Sequence, residues 1–232
     1  STSARGGFSP QAEYIFHKQL EEADYLMIGR ADQLSEEDVS LLRAKLAEFA
    51  EGVPVIAVSP RRGDGVEQVL GYIESPMKPG RRLLEIDYDT YAEGEAELGW
   101  VNLSANLVDG ETPASLDSLA QELVGSIAEG IEATGGQIAH LKVSVMGGDA
   151  QAVANVVAND SGVDIGLSAN RSVEGTIQVI VNARVAMDPV VLEAICRRCV
   201  ETLAEKHSMR VDSIHAHSMR PGRPVPTHRV TA

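Results

Sequence analysis

Apolar positions in the first third of the chain occur as short continuous runs separated by helical stripes. The runs at 25–28 and 53–59 are apolar along most of their length, which is typical of strands buried on both faces. Helices are predicted over 12–22 and 35–50, and Ser35 with the acidic residues behind it favours the start of the second helix. Because helices separate these strands, the pattern predicts right-handed crossovers and a parallel sheet.

Apolar and polar residues alternate more strictly in the second half. The pattern predicts strands at 100–108, 140–146, 163–169, 175–187 and 210–218, and helices at 115–134 and 188–207. We expect the third and fourth of these strands to form a hairpin, and "AQAVANVVAN", 150–159, to be a short insertion. Apart from one additional strand, this order is β-α-β-β-α-β, that of the split βαβ, ferredoxin-like arrangement.

Proline and glycine residues just after position 74 mark a change in the sequence pattern and a domain boundary. We therefore predict a partial parallel-sheet α/β half-domain of Rossmann-like type over 1–74 and a linker over 75–99. A ferredoxin-like α+β domain is predicted over 100–232. The fold class of the whole chain is α/β.

Composition narrows the classes of partner. The 232 residues carry a formal net charge of −14, and an acidic surface repels phosphate backbones, so we expect no nucleic acid partner. No apolar run approaches the ~20 residues that span a bilayer, so we expect no membrane partner. The chain has only two cysteines, which fits a reducing cytoplasm. The polar, glycine-rich opening "STSARGG" suggests a piece of a longer protein.

Two loops follow the ends of the first two predicted strands: "GRAD", 29–32, and "SPRRGDG", 59–65. Ligands of open parallel sheets bind at this edge. The Asp32 carboxylate is suited to accept hydrogen bonds from two adjacent N–H groups of a guanine, a pattern that adenine lacks. Backbone N–H groups of the loop that begins at Ser59 would meet the guanine carbonyl oxygen, and the flat cation of Arg30 would stack on the base. The alternative is that "GRAD" is only a strand-to-helix turn.

These residues carry a resemblance. The segments "QLEEADYLMIGRADQLSEEDVSLLRAKL" and "VPVIAVSPRRGDGVEQVL" resemble the second half of the GTPase domain of CobW-type metallochaperone P-loop GTPases, the cobalamin-synthesis-protein family. The stretch "DYDTYAEGEAELGWVN" resembles a segment that joins the two domains in one branch of that family. The resemblance covers about residues 10–110 by motif and the remainder by architecture, including a C-terminal α+β domain. It implies base contacts at Arg30, Asp32 and Ser59.

The sequence departs from the family pattern at several positions. Gly29 stands where the family has Asn, Arg30 replaces Lys, and Pro60 replaces Ala and so removes one N–H donor. No lysine lies in a G-x-x-x-x-G-K-[ST] sequence, so the phosphate-binding half is absent from these residues. The glycines of 63–71 are misplaced for a phosphate loop. Two explanations stay open: the other half of the domain lies outside this chain, or the domain is a degenerate remnant.

The resemblance implies a function. Such proteins couple GTP binding to delivery of a metal or metal cofactor, here related to cobalamin, with a client metalloprotein or a cofactor-synthesis enzyme as partner. GTP hydrolysis with Mg²⁺ is expected only where the missing half is supplied, zinc or cobalt would be the metal, and a homo-oligomer is compatible with this function. The alternative is a non-catalytic ferredoxin-like interaction module with a degenerate GTPase remnant. A third class, an enzyme built on linker carboxylates, has little support; the residues concerned are Asp87, Asp89, Glu93 and Glu95.

His215 and His217 are candidate metal ligands in the last predicted strand. They alternate with Ile214 and Ala216, so both imidazoles lie on one face. Spaced ~7 Å apart along a strand, they can share a metal if a third ligand reaches in. The candidates for a third ligand are His207, His228 and Asp212, of which Asp212 is expected on the opposite face. The alternative is a solvated strand face.

Two further features have ordinary explanations beside functional ones. Cys196 and Cys199 form a CxxC in the apolar stripe of a predicted helix, where we expect burial ahead of a metal half-site or redox chemistry. Three arginines follow in a proline-containing tail: Arg220, Arg223 and Arg229. On an acidic protein this basic tail would dock on its own chain or on an acidic partner, or else remain a solvated terminus.

Overall fold

The structure is a computed structural model that describes residues 9–76, 86–108, 110 and 112–222, without the side chains of Tyr88 and Glu95. These residues divide into two compact units. The N-terminal unit lies within 10–91 and the C-terminal unit within 92–222, to which Ser9 also belongs.

The N-terminal unit alternates helices and strands as predicted. Its elements are α1 (Pro10–Glu22), β1 (Leu26–Ile28), α2 (Glu36–Phe49), β2 (Val55–Ala57) and α3 (Val66–Ile73). The two strands are parallel, with Met27 opposite Ile56, so the predicted parallel sheet is confirmed. Both strands are shorter than the apolar runs that predicted them. A further helix, α4 (Tyr88–Ala96), occupies part of the stretch that was expected to be linker and crosses the division between the units.

The core of the N-terminal unit is small. Its buried cluster consists of Leu20, Leu26 and Ala50. Helix α2 starts as predicted, because Ser35 and Asp38 form a reciprocal capping box. All residues of α2 are described, however, and no side chain in it is buried. Of the apolar residues of α2, Leu46 packs against the cluster, whereas Phe49 remains 43% exposed.

The C-terminal unit contains one long antiparallel sheet and two long helices. Its elements are β3 (Gly99–Val108), β4 (Ala114–Ser115), α5 (Leu116–Ala133), β5 (Gln137–Gly147), β6 (Ala150–Val156), β7 (Asp164–Leu167), β8 (Ser172–Val173), β9 (Ile177–Ala186), α6 (Pro189–Lys206) and β10 (Arg210–Met219). The six-stranded sheet has the order β10-β3-β9-β5-β6-β7, and β4 pairs with β8 separately.

Four of these strands have a defined order in the sheet. In chain order β3, β5, β9 and β10 are the first to fourth strands, and they lie in the spatial order fourth, first, third, second. Two details of the prediction are wrong. The expected insertion at 150–159 contains a full strand, β6, and β7 pairs with β6 rather than forming a hairpin with β9.

The core of the C-terminal unit lies between the sheet and its two helices. The apolar residues spaced three or four apart along α5 form a stripe, and each of them is 0% exposed: Leu116, Leu119, Leu123, Ile127 and Ile131. From the sheet, Leu141, Val143 and Val145 are buried on alternate positions of β5, as predicted. The residues between them point to the other face, which we call the open face. Among the helices of the described residues, none has the length and apolar character needed to cross a membrane.

Candidate functional site

The loop after β1 presents Arg30 and Asp32. Ala31–Gln33 form one turn of 3-10 helix, which begins directly after Arg30. Arg30 adopts a left-handed backbone conformation with φ of 54°, which is uncommon for a residue other than glycine. Its Nε donates to Gln33 Oε1 at 3.1 Å, and its side chain is exposed. The turn therefore displays a cation at the carboxyl end of the sheet.

The loop after β2 folds tightly onto its own strand. The Ser59 amide donates to Asp64 O at 2.9 Å, and the Gly63 amide donates to Ser59 O at 2.8 Å. Gly65 holds φ of +73°, and a Cβ at this position would lie 2.3 Å from Ala57 O. Only glycine fits so close to the strand backbone. This requirement fixes where Ser59 lies and how the loop returns into α3.

The two loops meet through side chains. Ser59 is fully buried, and its Oγ donates to Asp32 Oδ1 at 2.7 Å. The backbones are also joined, because the Ala31 amide donates to Val58 O at 3.1 Å. Arg62 adds a contact from its guanidinium to Asp32 O at 3.4 Å. The structure thus brings Asp32 and Ser59 together, with Arg30 two residues before the carboxylate.

The charge of Asp32 is stabilised by this arrangement. The hydroxyl of Ser59, which donates to the carboxylate, is the main reason that the pKa of Asp32 lies below its ordinary value. Partial burial opposes this effect, and the positive charges of Arg62 and Arg61 reinforce it. Asp32 is therefore an ionised acceptor at neutral pH. Sequence reasoning did not identify Arg62 or Gly65; the Gly-Asp-Gly at 63–65 was the available signal for a tight turn.

His215 and His217 lie where their alternation placed them. Both are exposed on the open face of β10, opposite Ser104 and Asn102 of β3, while Ile214 and Ala216 pack against the core. Alternation along β10 does not tell which face Asp212 occupies, because the pairing register with β3 shifts between Val211 and Ser213. Within the part of the chain that the structure describes, no three His, Cys, Asp or Glu side chains are grouped so as to hold a metal.

The other candidate ligands of that metal have different positions. His207 follows α6, and its Nε2 lies 3.0 Å from Glu122 Oε2. His228 lies outside the described residues.

The cysteines belong to the core, as expected. Cys196 is 0% exposed, and Cys199 packs against the same cluster. Burial raises the pKa of the Cys196 thiol to about 12, and burial also raises the pKa of Cys199. A thiol with a raised pKa is a poor nucleophile and a poor metal ligand at neutral pH. The CxxC is therefore part of the packing of α6.

Arg220 and Asp87 have structural partners. The Arg220 guanidinium donates to the carbonyl oxygens of Ala96, Glu97 and Met187, so the start of the tail docks on its own unit. Arg223 and Arg229 lie outside the described residues. Asp87 accepts from the amide of Asp89 at 3.0 Å at the start of α4, which is a helix-capping role.

Comparisons with known proteins give weak similarities. No protein-family model matches the chain, and no curated protein matches it. The chain is similar to a Zn(II)-bound triple mutant of the YjiA GTPase, with 14% identity and a TM-score of 0.26, over 83% of this chain and 56% of that chain. It is also similar to Zn(II)-bound YjiA GTPase from E. coli, with 14% identity and a TM-score of 0.23, over 78% and 54% of the two chains. The chain spans about half the length of these structures.

Proposed function

We propose that the chain is part of a CobW-like GTPase that couples GTP binding to delivery of a metal or metal cofactor. Its N-terminal unit would read the guanine base through Arg30 and Asp32, with the buried Ser59 holding the Asp32 carboxylate in place. The observation that carries this proposal is the 2.7 Å hydrogen bond from Ser59 Oγ to Asp32 Oδ1, which joins the loops at the ends of two neighbouring parallel strands.

The chemistry of Asp32 suits guanine. Guanine presents an N–H and an amino group side by side, and an ionised carboxylate accepts from both. Adenine presents an acceptor at the corresponding ring nitrogen, so it would leave the carboxylate unpaired at a cost of ~1–3 kcal/mol. Ser59 holds the carboxylate in one orientation, which lowers the entropy lost on binding.

Arg30 is the proposed stacking partner of the base. Its exposed guanidinium is planar and always charged, so it can lie flat on a purine ring. Its left-handed backbone supports a functional role, because strained residues of this kind concentrate at ligand sites. Phosphate and Mg²⁺ would be held by residues other than those described, supplied by a longer polypeptide. The client metalloprotein or cofactor-synthesis enzyme, a cytoplasmic location and a cobalamin-related role belong to the same proposal.

The test is a titration of the ¹⁵N-labelled chain with guanosine monophosphate and, separately, adenosine monophosphate. We expect weak binding, with a Kd no tighter than ~1 mM, because most of the energy of nucleotide binding would come from the phosphates. Amide shifts should appear at 29–33 and 59–64 with the guanine nucleotide alone. Equal shifts with the adenine nucleotide, or no shifts at these loops with either, would remove the guanine assignment. A micromolar Kd would contradict the absence of a phosphate site.

The second candidate is a non-catalytic interaction module. It is favoured by the completeness of the C-terminal unit, whose sheet buries Leu103, Ala105 and Leu107 against the helices. The alternate positions Asn102, Ser104 and Asn106 face outward on the same strand. A partner that binds this unit and ignores guanine nucleotides would support the module over the GTPase.

A further inference from the structure

The sheet of the C-terminal unit ends in the edge strand β10. In the sheet formed by the described residues, β10 pairs with β3 on one side and has no strand on the other. The pairing with β3 is regular from Ser213 to Met219. This stretch, "SIHAHSM", contains no Lys, Arg, Asp, Glu or Pro, which are the residues that usually protect an edge from further pairing. The outer edge of β10 can therefore pair with one more strand.

The same stretch carries half of a metal site. His215 and His217 are exposed on the open face and supply two imidazoles, whereas a structural zinc site takes four ligands in a tetrahedron. Since the described part of one chain groups no three suitable ligands, a metal at this pair needs ligands from elsewhere. An edge strand that accepts a second copy of itself brings the same two imidazoles again.

We propose that two copies of the chain pair through their β10 strands and complete a zinc site made of four histidines. The pairing is antiparallel, about a two-fold axis through Ala216. Residue numbers across an antiparallel ladder add to a constant, so His215 lies opposite the partner subunit's His217. By the same symmetry His217 lies opposite the partner subunit's His215.

The geometry of such a ladder suits one ion. Directly opposite residues share a face, with Cβ atoms ~5 Å apart, and alternate residues of one strand are ~7 Å apart. The four imidazoles then start from the corners of a small rectangle on the open face and converge on a point above its centre. The dimer is closed, because the same edge is used by both copies. It joins two six-stranded sheets into one continuous sheet.

Imidazole nitrogens select the class of metal. Zinc takes neutral histidine ligands in tetrahedral geometry, whereas Mg²⁺ and Ca²⁺ require oxygen ligands. On β3, the residues opposite the two histidines are Ser104 and Asn102, so no carboxylate from that strand competes for the site. The two histidines belong to the C-terminal unit, whereas the candidate guanine site belongs to the N-terminal unit and is tested with nucleotides alone.

The test is a zinc titration of the full chain, with the mass measured by light scattering after size exclusion. We expect a dimer at one zinc per two chains, reverted to monomer by a chelator. His215→Ala and His217→Ala should each remove two of the four ligands and lower the zinc affinity at least ~100-fold, with loss of the dimer. Co²⁺ in place of Zn²⁺ should give the intense visible absorption of a tetrahedral ion, which both variants lose.

The matched control is His140→Ala. His140 lies on β5, three strands from the β10 edge, and pairs in register with Arg184 of β9 on the open face. This variant should bind zinc and dimerise as the wild type does. Uptake of one zinc per chain without dimerisation, dimerisation that neither histidine variant changes, or no zinc binding at all would each overturn the proposal.

Discussion

The two units of this chain bury their apolar side chains to very different extents. In the C-terminal unit, Leu103, Leu123 and Val179 are at most 1% exposed, in a core shared by the sheet and both long helices. In the N-terminal unit, Met27 is 58% exposed at the centre of β1, Leu41 is 54% exposed on α2, and Ile73 is 74% exposed at the end of α3. The contrast arises from the type of sheet.

A parallel sheet needs cover on both faces, whereas an antiparallel sheet can leave one face in water. The three-residue strands β1 and β2 have few side chains with which to build a core, and Met27 is left outside it. The ten-residue strands β3 and β9 alternate inward and outward residues, so one face is complete on its own. The C-terminal unit is therefore held by an extensive packed core, whereas the N-terminal unit has only a small buried cluster beside its two short strands.

The largest expected difference in stability is between two variants that each truncate one leucine, one in each unit. Leu123→Ala in α5 should lower the free energy of unfolding by ~3–5 kcal/mol, because it opens a cavity in a closed core. Leu41→Ala in α2 should change it by no more than ~0.5 kcal/mol, because that side chain is mostly in water. Both leucines lie in helices, so the two substitutions change the helix propensity by the same amount. Denaturant unfolding with hydrogen exchange read for each unit measures the two effects, and equal losses would contradict the contrast.

A smaller effect is expected at the glycines of the N-terminal unit. Gly65→Ala should destabilise that unit by ~2 kcal/mol, because the new Cβ meets Ala57 O and the backbone is left-handed. Gly71→Ala is the control: this glycine lies inside α3 with nothing within 4 Å of its Cβ position. It should stabilise the helix by ~0.5–1 kcal/mol. If both substitutions changed the free energy of unfolding in the same direction, the close approach of the loop to β2 would not be the reason for the requirement for glycine at position 65.

The smallest expected effect concerns two carboxylates: that of Asp117, which has a structural role, and that of Asp32, which belongs to the candidate site. Asp117 accepts from Ser168 Oγ and from the amides of Ala169 and Asn170. Burial, the largest single effect, raises its pKa, but these bonds together outweigh it and hold the pKa below the ordinary value. Asp117→Asn should cost ~1–2 kcal/mol at pH 7.

The pH dependence of that cost follows from the direction of the shift. Because the folded pKa of Asp117 is depressed, its stabilisation is present above the ordinary value of ~3.9 and is lost as the pH falls through the folded pKa. The difference between wild type and Asp117→Asn should therefore shrink below pH ~4. Asp32→Asn should cost less stability than Asp117→Asn at pH 7, since Asp32 serves an exposed loop. A constant difference at all pH values would contradict the assigned role of Asp117.

Large aliphatic side chains at regular spacing made much of the fold predictable. The stripe of α5 and the alternation around Val143 in β5 needed no tertiary information. Strand β6 was missed because its inward residues include Ala152 and Ala154, which are small, while Val153 points outward, so the alternation is weak. The partner of β7 was missed for the same reason: without β6 as a strand, β9 was the nearest choice.

The candidate site was predictable only in part. That Asp32 and Ser59 lie close follows from a general rule, since loops after neighbouring parallel strands share one edge of the sheet. The contact of Arg62 with Asp32 and the requirement for Gly65 depend on how the second loop folds back on Ala57, which no spacing in the sequence encodes. Alternation does not assign a face to Asp212, because a bulge beside it changes the parity of the strand.

The most direct measurement of the central claim, that Asp32 reads a guanine base, is an exchange of base preference. In Asp32→Asn, one carboxylate oxygen is replaced by an amide that donates, and xanthine has a carbonyl oxygen where guanine has its amino group. Titration of the wild type and the variant with guanosine and xanthosine monophosphates, followed by the amides at 29–33, should show guanine preferred by the wild type and xanthine by the variant. An unchanged preference in the variant would contradict the claim.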